Sequence, residues 1–377
     1  MKIAGAQLFP ICLPFAKAFA NAQGVVTERC GTLVRLVSDA GEVGWGEASP
    51  FPGFGLESLE DSRSVLAAAA GELLGNEVEV GEELTLQINE LTMSSTCARA
   101  AVETAVLDLW ARTHRKPMFE LLTTDREQAP PVIQCNALVA GDDLDSLERA
   151  ARSEIANGFR TVKLKVGALD LARDVERVAR LRDVVGPSVA IRLDANQAYV
   201  ADDALTALEK FARHRIEYLE QPLVESALDA MAALRQKSPI ALAADESAVG
   251  ESAALRVIHA GAADLIVIKP SAAGGPSASL RIARAARQAG MGVVVTSLLD
   301  SAVGVSAAHQ VAIAIAMEGA IPACGLATGG LLARDVALLE PALGGCLPSP
   351  ERAGLGIEMD ESRVRKCLSG PVVDLSP

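Results

Sequence analysis

The sequence predicts an α/β fold in which a closed (β/α)8 barrel, the TIM-barrel architecture, follows an N-terminal α+β region. From about residue 132, short apolar strands alternate with alanine-rich amphipathic helices, which is typical of parallel βαβ units. Eight such strands favour a closed barrel over an open, doubly wound sheet. No GxGxxG motif follows the first of these strands, which disfavours a dinucleotide-binding sheet.

Residues 1–125 read as the α+β region. The stretch "TLVRLVSDAGEVGWGEASP" alternates apolar and polar residues on both sides of "DAG", which indicates a hairpin. The stretch "SSTCARAAVETAVLDLWARTH" opens with Ser and Thr caps and predicts a helix that buries Ala101, Ala105, Leu107 and Leu109 or their neighbours. The breaks "RKP" and "DREQAPP" end this region.

Residues 126–325 contain the predicted barrel. Its strands are expected in "VIQCNALVA", "TVKLKVG", "AIRLDANQ", "IEYLEQP", "IALAADES", "DLIVIKPS", "GVVVTSLLD" and "PACGLATG". Residues 326–377 lose the repeat and are expected to form a C-terminal segment that packs back on the N-terminal region.

The composition of the chain excludes several classes of function. The chain has 377 residues and a formal net charge of −13, which argues against binding to a nucleic-acid backbone. We expect no membrane association, since no run approaches the roughly 20 apolar residues of a membrane span. The N-terminus shows no signal-peptide pattern, and the seven scattered cysteines include no CxxC pair. We therefore expect a cytoplasmic protein with buried, reduced thiols and no zinc site; the oligomeric state stays open, with a homo-oligomer as one alternative.

Polar residues recur where the predicted barrel strands end. Successive positions differ by 29, 26, 25 and 24 residues along the series Lys165, Asp194, Glu220, Asp245 and Lys269. Each interval is close to one barrel unit, which averages roughly 30 residues. These groups are therefore expected to converge at the C-terminal mouth, where barrel enzymes have their active sites.

Two structural readings compete with a functional one. Lys163 and Lys165 of "VKLKVG" lie on one face of a strand, which would suit a solvated sheet edge. A single acid at a strand end, such as Asp194 or Asp245, is commonly a helix cap. Three acids on consecutive strands would repel one another, and a divalent cation would remove that cost. The set Asp194, Glu220 and Asp245 therefore predicts a site for Mg²⁺, with Mn²⁺ as the alternative ion.

The lysines complete an acid–base site. Lys163 and Lys165 precede the acids in the barrel order and Lys269 follows them, so their ammonium groups are expected on opposite sides of the metal. A cation and a second ammonium nearby lower the pKa of a lysine, which then acts as a base. The matching substrate is a small carboxylate with a weakly acidic α-proton, whose enediolate the metal stabilises.

The motifs "KLK" at 163–165, "DAN" at 194–196, "EQP" at 220–222, "ADES" at 244–247 and "IKPSAAGG" at 268–275 together resemble the enolase superfamily, in its muconate-lactonizing-enzyme-like subgroup. The resemblance covers nearly the whole chain and implies a capping domain on a modified, (β/α)7β barrel. It makes Lys165 the proton-abstracting base, Lys163 its electrostatic partner and Lys269 the lysine on the opposite face. The resemblance also implies that Asn196 and Glu246 lie behind the metal ligands and do not bind the ion themselves.

Within that subgroup the chain most resembles o-succinylbenzoate synthases, through "GWGEASPFPGFGLESLED", "TSLLDSAVG" and "GLATG". The implied reaction is a syn dehydration in menaquinone synthesis. The alternatives are N-acylamino acid racemase, dipeptide epimerase and muconate-type cycloisomerase. Members of the superfamily that carry a catalytic His at the end of the seventh strand are disfavoured as models, because the histidine nearest to that strand end, His309, falls inside the next predicted helix. An Asp-x-Asp at the eighth strand, expected of dipeptide epimerases, is absent from "CGLATGGLL".

Substrate contacts are expected from loops. Phe54 in "PFPGFG", together with the segment "FAKAFANAQG", is predicted to close over the site, although "PFPGFG" also reads as an ordinary turn. Gly274 and Gly275 would present backbone N–H groups to a substrate carboxylate, or else form a plain βα turn. Ser297 and Leu298 follow the seventh strand. A Schiff-base aldolase using Lys269 and a non-catalytic binding protein are the remaining alternatives.

Overall fold

The computed structural model describes residues 1–21, 24–51, 53–123, 129–141 and 143–375. Part of "FAKAFANAQG", one residue of "PFPGFG" and most of "DREQAPP" fall outside these ranges, so the predicted closure of the first two segments stays a prediction. No helix within the described ranges is long and apolar enough to cross a membrane.

The N-terminal region is an antiparallel sheet covered by helices. Its strands are β1 (Ile3–Asn21), β2 (Gly24–Ser38) and β3 (Val43–Ala48), and its helices are α1 (Leu59–Leu73), α2 (Glu82–Leu91), α3 (Thr96–Thr113) and α4 (Phe119–Leu122). Helix α3 begins where the Ser95 hydroxyl accepts a hydrogen bond from the Ala98 N–H (3.0 Å). The predicted hairpin and helix are both confirmed.

Strand β3 lies directly against α3. A Cβ atom on Gly46 would approach the Ala101 carbonyl oxygen to 1.9 Å, and one on Gly44 would approach the Ala105 carbonyl oxygen to 2.2 Å. The two glycines of "GWGEA" are therefore needed for close approach of backbone to backbone.

The cysteine prediction is wrong for one pair. Cys12 and Cys30 form a disulfide, with their Cα atoms 4.0 Å apart. They lie directly opposite each other in the antiparallel register of β1 and β2, a pairing that sequence spacing alone does not reveal. The other five cysteines are free thiols.

The barrel is a seven-stranded parallel sheet with helices outside it. Its strand order is β5-β6-β7-β8-β9-β10-β11, and the short strand β4 (Val132–Gln134) precedes it. The elements are β5 (Ala137–Val139), α5 (Leu144–Ala156), β6 (Thr161–Lys165), α6 (Leu171–Val185), β7 (Ala190–Asp194), α7 (Ala201–Phe211), β8 (Ile216–Glu220), α8 (Leu228–Lys237), β9 (Ala241–Ala244), α9 (Glu251–Ala260), β10 (Leu265–Ile268), α10 (Pro270–Ala273), α11 (Pro276–Gln288), β11 (Gly292–Val295) and α12 (Ala302–Met317).

A two-residue bridge closes the barrel in place of an extended eighth strand. Cys324 pairs with Cys135 and Gly325 pairs with Thr296, both in parallel sense. The Cys324 N–H donates to the Gln134 carbonyl (2.7 Å), and the Gly325 N–H donates to the Val295 carbonyl (2.9 Å). The predicted (β/α)7β barrel with an N-terminal capping region is confirmed, although "PACGLATG" is a shorter element than expected.

The C-terminal segment runs back along the molecule. Strand β12 (Cys346–Pro348) pairs with β4, helix α13 (Glu361–Cys367) follows, and strand β13 (Val373–Leu375) adds antiparallel to β1. One apolar core lies around the barrel sheet, and a second packs the N-terminal sheet against α1, α2 and α3. The N-terminal sheet therefore contains strands from both the first and the last described parts of the chain.

Candidate active site

Strand β6 carries the two lysines of "VKLKVG" into the barrel. The strand is hydrogen-bonded to β5 on one side and to β7 on the other, so the edge-strand reading is wrong. Val162 and Leu164 are fully buried, whereas Lys163 and Lys165 keep 16% and 22% of their side chains exposed. The alternation of apolar and charged residues thus separates the helix-facing side of the strand from the cavity side.

The three acids end adjacent strands at the same height. Asp194 is the last residue of β7, Glu220 is the last of β8, and Asp245 follows β9 directly. Their exposed fractions are only 2%, 1% and 3%. Asp245 precedes a short 3₁₀ turn, but its side chain makes no capping hydrogen bond there. The capping alternative therefore fails for Asp245.

The lysines pair with these acids. Lys163 Nζ lies 2.9 Å from Asp194 Oδ2 and 2.7 Å from Glu220 Oε1. Lys165 Nζ lies 3.6 Å from the same Asp194 oxygen. Lys269 pairs with Asp245 Oδ1, and its ammonium lies 4.3 Å from the centre of the Phe54 ring. All six predicted charged residues are therefore brought together.

Burial and mutual repulsion perturb the acids unequally. Burial raises the pKa of Glu220 to about 7, with Asp194 and Asp245 adding to the rise against the attraction of Lys163. Burial also raises the pKa of Asp245. The pKa of Asp194 is lowered, because Lys163 and Lys165 together outweigh its burial. For Lys163, burial favours the neutral amine, but attraction to Asp194 and Glu220 raises its pKa well above the usual value. Lys163, which the sequence predicts to be the electrostatic partner of the base, is thus held in its cationic form between the two acids.

Asn196 and Glu246 form a chain behind Lys165. The Asn196 side-chain oxygen accepts a hydrogen bond from Lys165 Nζ, and its amide nitrogen donates to Glu246 Oε1 (3.1 Å). The Asn196 backbone N–H also donates to Asp194 Oδ1 (3.0 Å). Asn196 therefore links the lysine to two of the acids, and its role behind the metal ligands stays a prediction.

The acids provide a donor set for a cation. Within the described ranges, Glu220 Oε2 and Glu246 Oε2 are buried carboxylate oxygens without a hydrogen-bond partner. Such atoms cost free energy unless a cation or donor satisfies them. Three carboxylates from neighbouring strand ends, with the unsatisfied oxygen of Glu220 among them, fit a hard divalent ion such as Mg²⁺.

A cavity of about 330 Å³ lies in front of the acids and lysines. Phe54, Ser297 and Leu298, which the sequence predicts to contact substrate, line it, and the Ser297 and Thr328 hydroxyl oxygens lie 2.8 Å apart. Further apolar walls come from residues that the sequence did not single out, namely Phe51, Leu138, Leu299, Ala327 and Leu331. Their loops could be identified from sequence, but not which side chains would face inward.

Gly274 and Gly275 are not among the residues that line this cavity. They turn towards the N-terminal region, where Arg99 Nε donates to the Gly274 carbonyl (2.7 Å). The Gly275 N–H is bonded to the Pro270 carbonyl, and the Ser277 N–H is bonded to Glu103. These N–H groups therefore already have partners, and the geometry favours the reading of a plain βα turn.

Sequence reasoning missed the inner layer beneath the acids. Arg192 is fully buried inside the barrel, where it donates to the Asn136 side chain (3.1 Å), the Ala323 carbonyl (2.6 Å) and Glu217 (2.7 Å). Its guanidinium lies 4.9 Å from the centre of the Tyr218 ring. The only available indication was an arginine inside an otherwise apolar strand, "AIRLD".

Fold and site together define a capped-barrel enzyme with acids and lysines at the mouth of the barrel. The model for the enolase C-terminal domain-like family matches residues 146–363, and the model for the mandelate racemase / muconate lactonizing enzyme N-terminal domain matches residues 10–123. The chain belongs to this mandelate racemase / muconate lactonizing enzyme branch of the enolase superfamily.

Its relatives include several isomerases. The L-Ala-D/L-Glu epimerase of Bacillus subtilis (strain 168) is 32% identical over 318 residues, which is 83% of this chain and 85% of the relative. The structure of N-succinyl Arg/Lys racemase from Bacillus cereus ATCC 14579 superposes with a TM-score of 0.91 at 26% identity, covering 99% of this chain and 100% of the other. A dipeptide epimerase from Cytophaga hutchinsonii, complexed with Mg and D-Ala-L-Val, gives a TM-score of 0.89 at 26% identity over 100% of both chains.

These relatives agree with the alternative function better than with the main prediction. They are epimerases and racemases, whereas the sequence motifs most resembled those of o-succinylbenzoate synthases. The superfamily and the barrel are therefore shown, and so is an enzyme of this superfamily, but the predicted lyase reaction is not, and the reaction itself is a matter for proposal.

Proposed function

We propose that this chain is a Mg²⁺-dependent racemase or epimerase of N-acylated amino acids. It would remove the proton α to the substrate carboxylate on one face and return a proton on the other. The observation that carries the proposal is the placement of Lys165 and Lys269 on opposite walls of the barrel, with the three acids on the strands between them.

The strand order supports this placement. Strand β6 occupies the second position of the sheet and β10 the sixth, and the bridge at Cys324–Gly325 fills the eighth. Two positions four steps apart in an eight-position ring face each other across it. Lys165 ends β6 and Lys269 directly follows β10, so a substrate carbon between them has a base on each side. This is what an exchange of configuration requires.

The metal ligands in this proposal are Asp194, Glu220 and Asp245, with Mn²⁺ as a substitute ion. When bound, the ion supplies positive charge for the substrate carboxylate and for the negative charge that develops as the α-proton leaves. Lys163 stays protonated between Asp194 and Glu220 and adds a fixed positive charge beside them.

The two bases are held by different partners. Asn196 fixes the ammonium of Lys165 through its side-chain oxygen and is itself held by Glu246. Asp245 and the Phe54 ring hold Lys269. Each lysine therefore has a defined orientation before substrate arrives, which reduces the entropy cost of proton transfer.

The cavity lining favours an acylated nitrogen over a free α-ammonium. Around the closing bridge the lining residues are Gly325, Ala327, Thr328, Gly330 and Leu331, none of them acidic. Among the described lining residues, one acid stands outside the metal set, Glu154. It belongs to the last turns of α5, at the end of the barrel where strands begin. An uncharged amide nitrogen beside apolar walls needs no carboxylate partner.

Isotope exchange in D₂O tests the proposal. Wild-type enzyme with Mg²⁺ is incubated separately with the two enantiomers of an N-acetyl or N-succinyl amino acid, and deuterium at the α-carbon and optical rotation are followed. The Lys165→Ala variant should lose exchange from one enantiomer, and Lys269→Ala should lose it from the other, each by about 10²–10⁴-fold. Both should lose racemisation.

Lys210→Ala, on the exposed side of α7, is the matched control and should behave as wild type. If neither enantiomer exchanges with the wild-type enzyme, or if both lysine variants lose exchange from the same enantiomer only, the two-base proposal is wrong.

A syn dehydration of the o-succinylbenzoate synthase type is the second candidate. It is favoured by Lys269, whose pairing with Asp245 and contact with the Phe54 ring suit a fixed cation as well as a base. Lys269→Arg keeps a cation but removes the base, so it should retain a dehydration and abolish racemisation. An assay with 2-succinyl-6-hydroxy-2,4-cyclohexadiene-1-carboxylate beside the N-acyl substrates distinguishes the two.

A further inference from the structure

Three charged residues are buried between the N-terminal region and the barrel, away from the acids of the site. Arg29 lies on β2, Glu47 lies on β3, and Asp300 lies between β11 and α12. Their exposed fractions are 2%, 4% and 3%. Buried charges are costly unless they are paired and hydrogen-bonded, and neither the metal set nor the proposed bases account for these.

Glu47 binds the start of α12. Its Oε1 accepts from the Ser301 N–H (3.0 Å), and its Oε2 accepts from the Ser301 hydroxyl (2.6 Å) and the Gly304 N–H (3.0 Å). A carboxylate in this position is stabilised by the free N–H groups and the positive end of the helix dipole. A Cβ on Gly304 would lie 2.4 Å from Asp300 Cβ and 3.1 Å from Glu47 Oε2, so only glycine permits this approach.

Asp300 binds the two barrel loops beside the cavity. Its Oδ2 accepts from the Leu298 N–H (2.8 Å) and from the Ser271 hydroxyl (3.2 Å). Its Oδ1 lies 3.5 Å from Arg29 Nη2. One carboxylate therefore connects the short helix α10 after β10, the loop after β11 and a strand of the N-terminal sheet.

Arg29 binds the segment that enters the cavity from the N-terminal region. Its guanidinium donates to the Pro50 carbonyl (3.0 Å) and to the Ser49 carbonyl, and it lies 5.1 Å from the centre of the Phe51 ring. The Ser49 hydroxyl in turn donates to Glu47 Oε1 (2.8 Å). Both sides of the interface are thus held by the same three charged groups.

The groups held in this way form the apolar wall of the cavity. Phe51 and Phe54 from the N-terminal region pack with Ala272 and Leu298 from the barrel as a separate buried cluster. Phe51, Phe54 and Leu298 all line the cavity. Apolar contacts are non-directional, so they alone do not fix the relative position of the two loops. Charged hydrogen bonds to particular backbone atoms do fix it.

We propose that Arg29, Glu47 and Asp300 are positioning residues that set substrate selectivity, because they fix the two loops carrying Phe51, Phe54 and Leu298 at one separation. They touch neither the acids nor the lysines of the site. Their loss should therefore change which substrate side chain fits the apolar wall, with a smaller effect on proton transfer from a substrate that does not reach it.

The test compares the Asp300→Asn and Glu47→Gln variants with wild type on N-acetylalanine and N-acetylphenylalanine, using α-deuterium exchange. The choice of these substrates rests on the proposed function. Each variant should lower the ratio of kcat/KM for phenylalanine to that for alanine by about tenfold or more, mainly through KM for the aromatic substrate. Asp300→Glu restores the charge and should recover part of the ratio.

The matched control is Glu103→Gln. Glu103 is another buried carboxylate of the N-terminal region, 6% exposed, and it accepts from the Ser277 N–H of α11 (3.0 Å) without lining the cavity. It should alter stability and leave the selectivity ratio unchanged. An equal change of the ratio in Glu103→Gln, or no change in Asp300→Asn and Glu47→Gln, overturns the proposal.

A readout without substrate separates this proposal from the proposed function. In hydrogen–deuterium exchange of the whole chain, Asp300→Asn should increase amide exchange together in the peptides that contain Phe54 and Leu298, and Glu103→Gln should not. If wild type acts on no N-acyl amino acid, the proposed function fails and this exchange pattern still decides the positioning role. Faster exchange in only one of the two peptides contradicts it.

Discussion

The Asp300→Asn variant should change how the stability of the protein depends on pH. Burial raises the pKa of Asp300 to about 6, the Glu47 carboxylate adds to the rise, and Arg29 opposes it. Two further titratable groups act on this region. Burial raises the pKa of the Cys97 thiol on α3 well above 9.0, so it stays neutral at the pH values considered. Burial also raises the pKa of Asp335, which accepts from the Ala302 N–H, to about 6, with Glu47 adding to the rise; this carboxyl is present in both wild type and variant.

The sign follows from the two pKa values. The ordinary value for this carboxyl is 3.8, and its value in the folded protein is about 6. Between them the folded state holds a proton that the unfolded state has lost, so the wild-type free energy of unfolding falls as pH rises through this window and is level above it. A shift of about two units corresponds to roughly 3 kcal/mol, of which about 2 kcal/mol falls between pH 4.5 and pH 7.5.

Urea unfolding of wild type and Asp300→Asn at half-unit intervals of pH measures this effect. The variant has no carboxyl at this position, so its stability relative to wild type should improve by about 2 kcal/mol from pH 4.5 to pH 7.5. The exposed variant Asp202→Asn controls for replacing an aspartate. A stability difference that stays constant across this pH range would refute the assignment of a raised pKa to Asp300.

Three further changes test other parts of the structure. Gly46→Ala should destabilise the protein by about 1–3 kcal/mol in thermal unfolding, because the new Cβ would meet the Ala101 carbonyl. Gly41→Ala is the control: its Cβ would meet no atom within 4 Å, so it measures only the cost of an alanine at a positive φ. Thiol titration of unreduced, unfolded protein should find five thiols, and seven after reduction, if Cys12–Cys30 is oxidised; seven before reduction would contradict it. Glu220→Gln should weaken Mg²⁺ binding at least about tenfold in calorimetry, and unchanged affinity would remove Glu220 from the ligand set.

The barrel and the positions of its charged residues could be predicted because both follow from patterns that repeat at short intervals along the sequence. Alternation within "VKLKVG" put Lys163 and Lys165 on one face, and intervals of one βα unit put the acids and lysines at one height. Each of these relations involves residues within one element or between neighbouring elements. The structure keeps them because parallel strands add in order around the barrel.

The parts that could not be predicted depend on contacts between distant segments. The disulfide needs the exact register of β1 on β2, and the closing bridge at Cys324 needs the two ends of the barrel sheet to meet. Likewise, "SAAGG" has the composition of an anion-binding turn, but α3 approaches it and Glu103 takes the N–H of Ser277. No local pattern reports which distant segment will occupy a turn.

The charge balance of the site explains why a divalent ion would suit it. Of Lys163, Lys165 and Lys269, the one that acts as the base must be neutral before reaction, so two contribute positive charges, and Asp194, Glu220, Asp245 and Glu246 contribute four negative ones when all are ionised. The sum is −2, which a divalent ion would neutralise.

In the proposed reaction, the α-proton would pass from the substrate to the neutral lysine, so the substrate would gain a negative charge and the lysine an equal positive charge beside it, with no change in the total. Charges fixed in a buried site stabilise that separation more than water does, because they need no reorganisation as it develops. The excess of acids over lysines is therefore what allows the site to hold a divalent ion. The third ammonium group would form only as the base takes the proton, so its positive charge favours the transition state over the bound substrate.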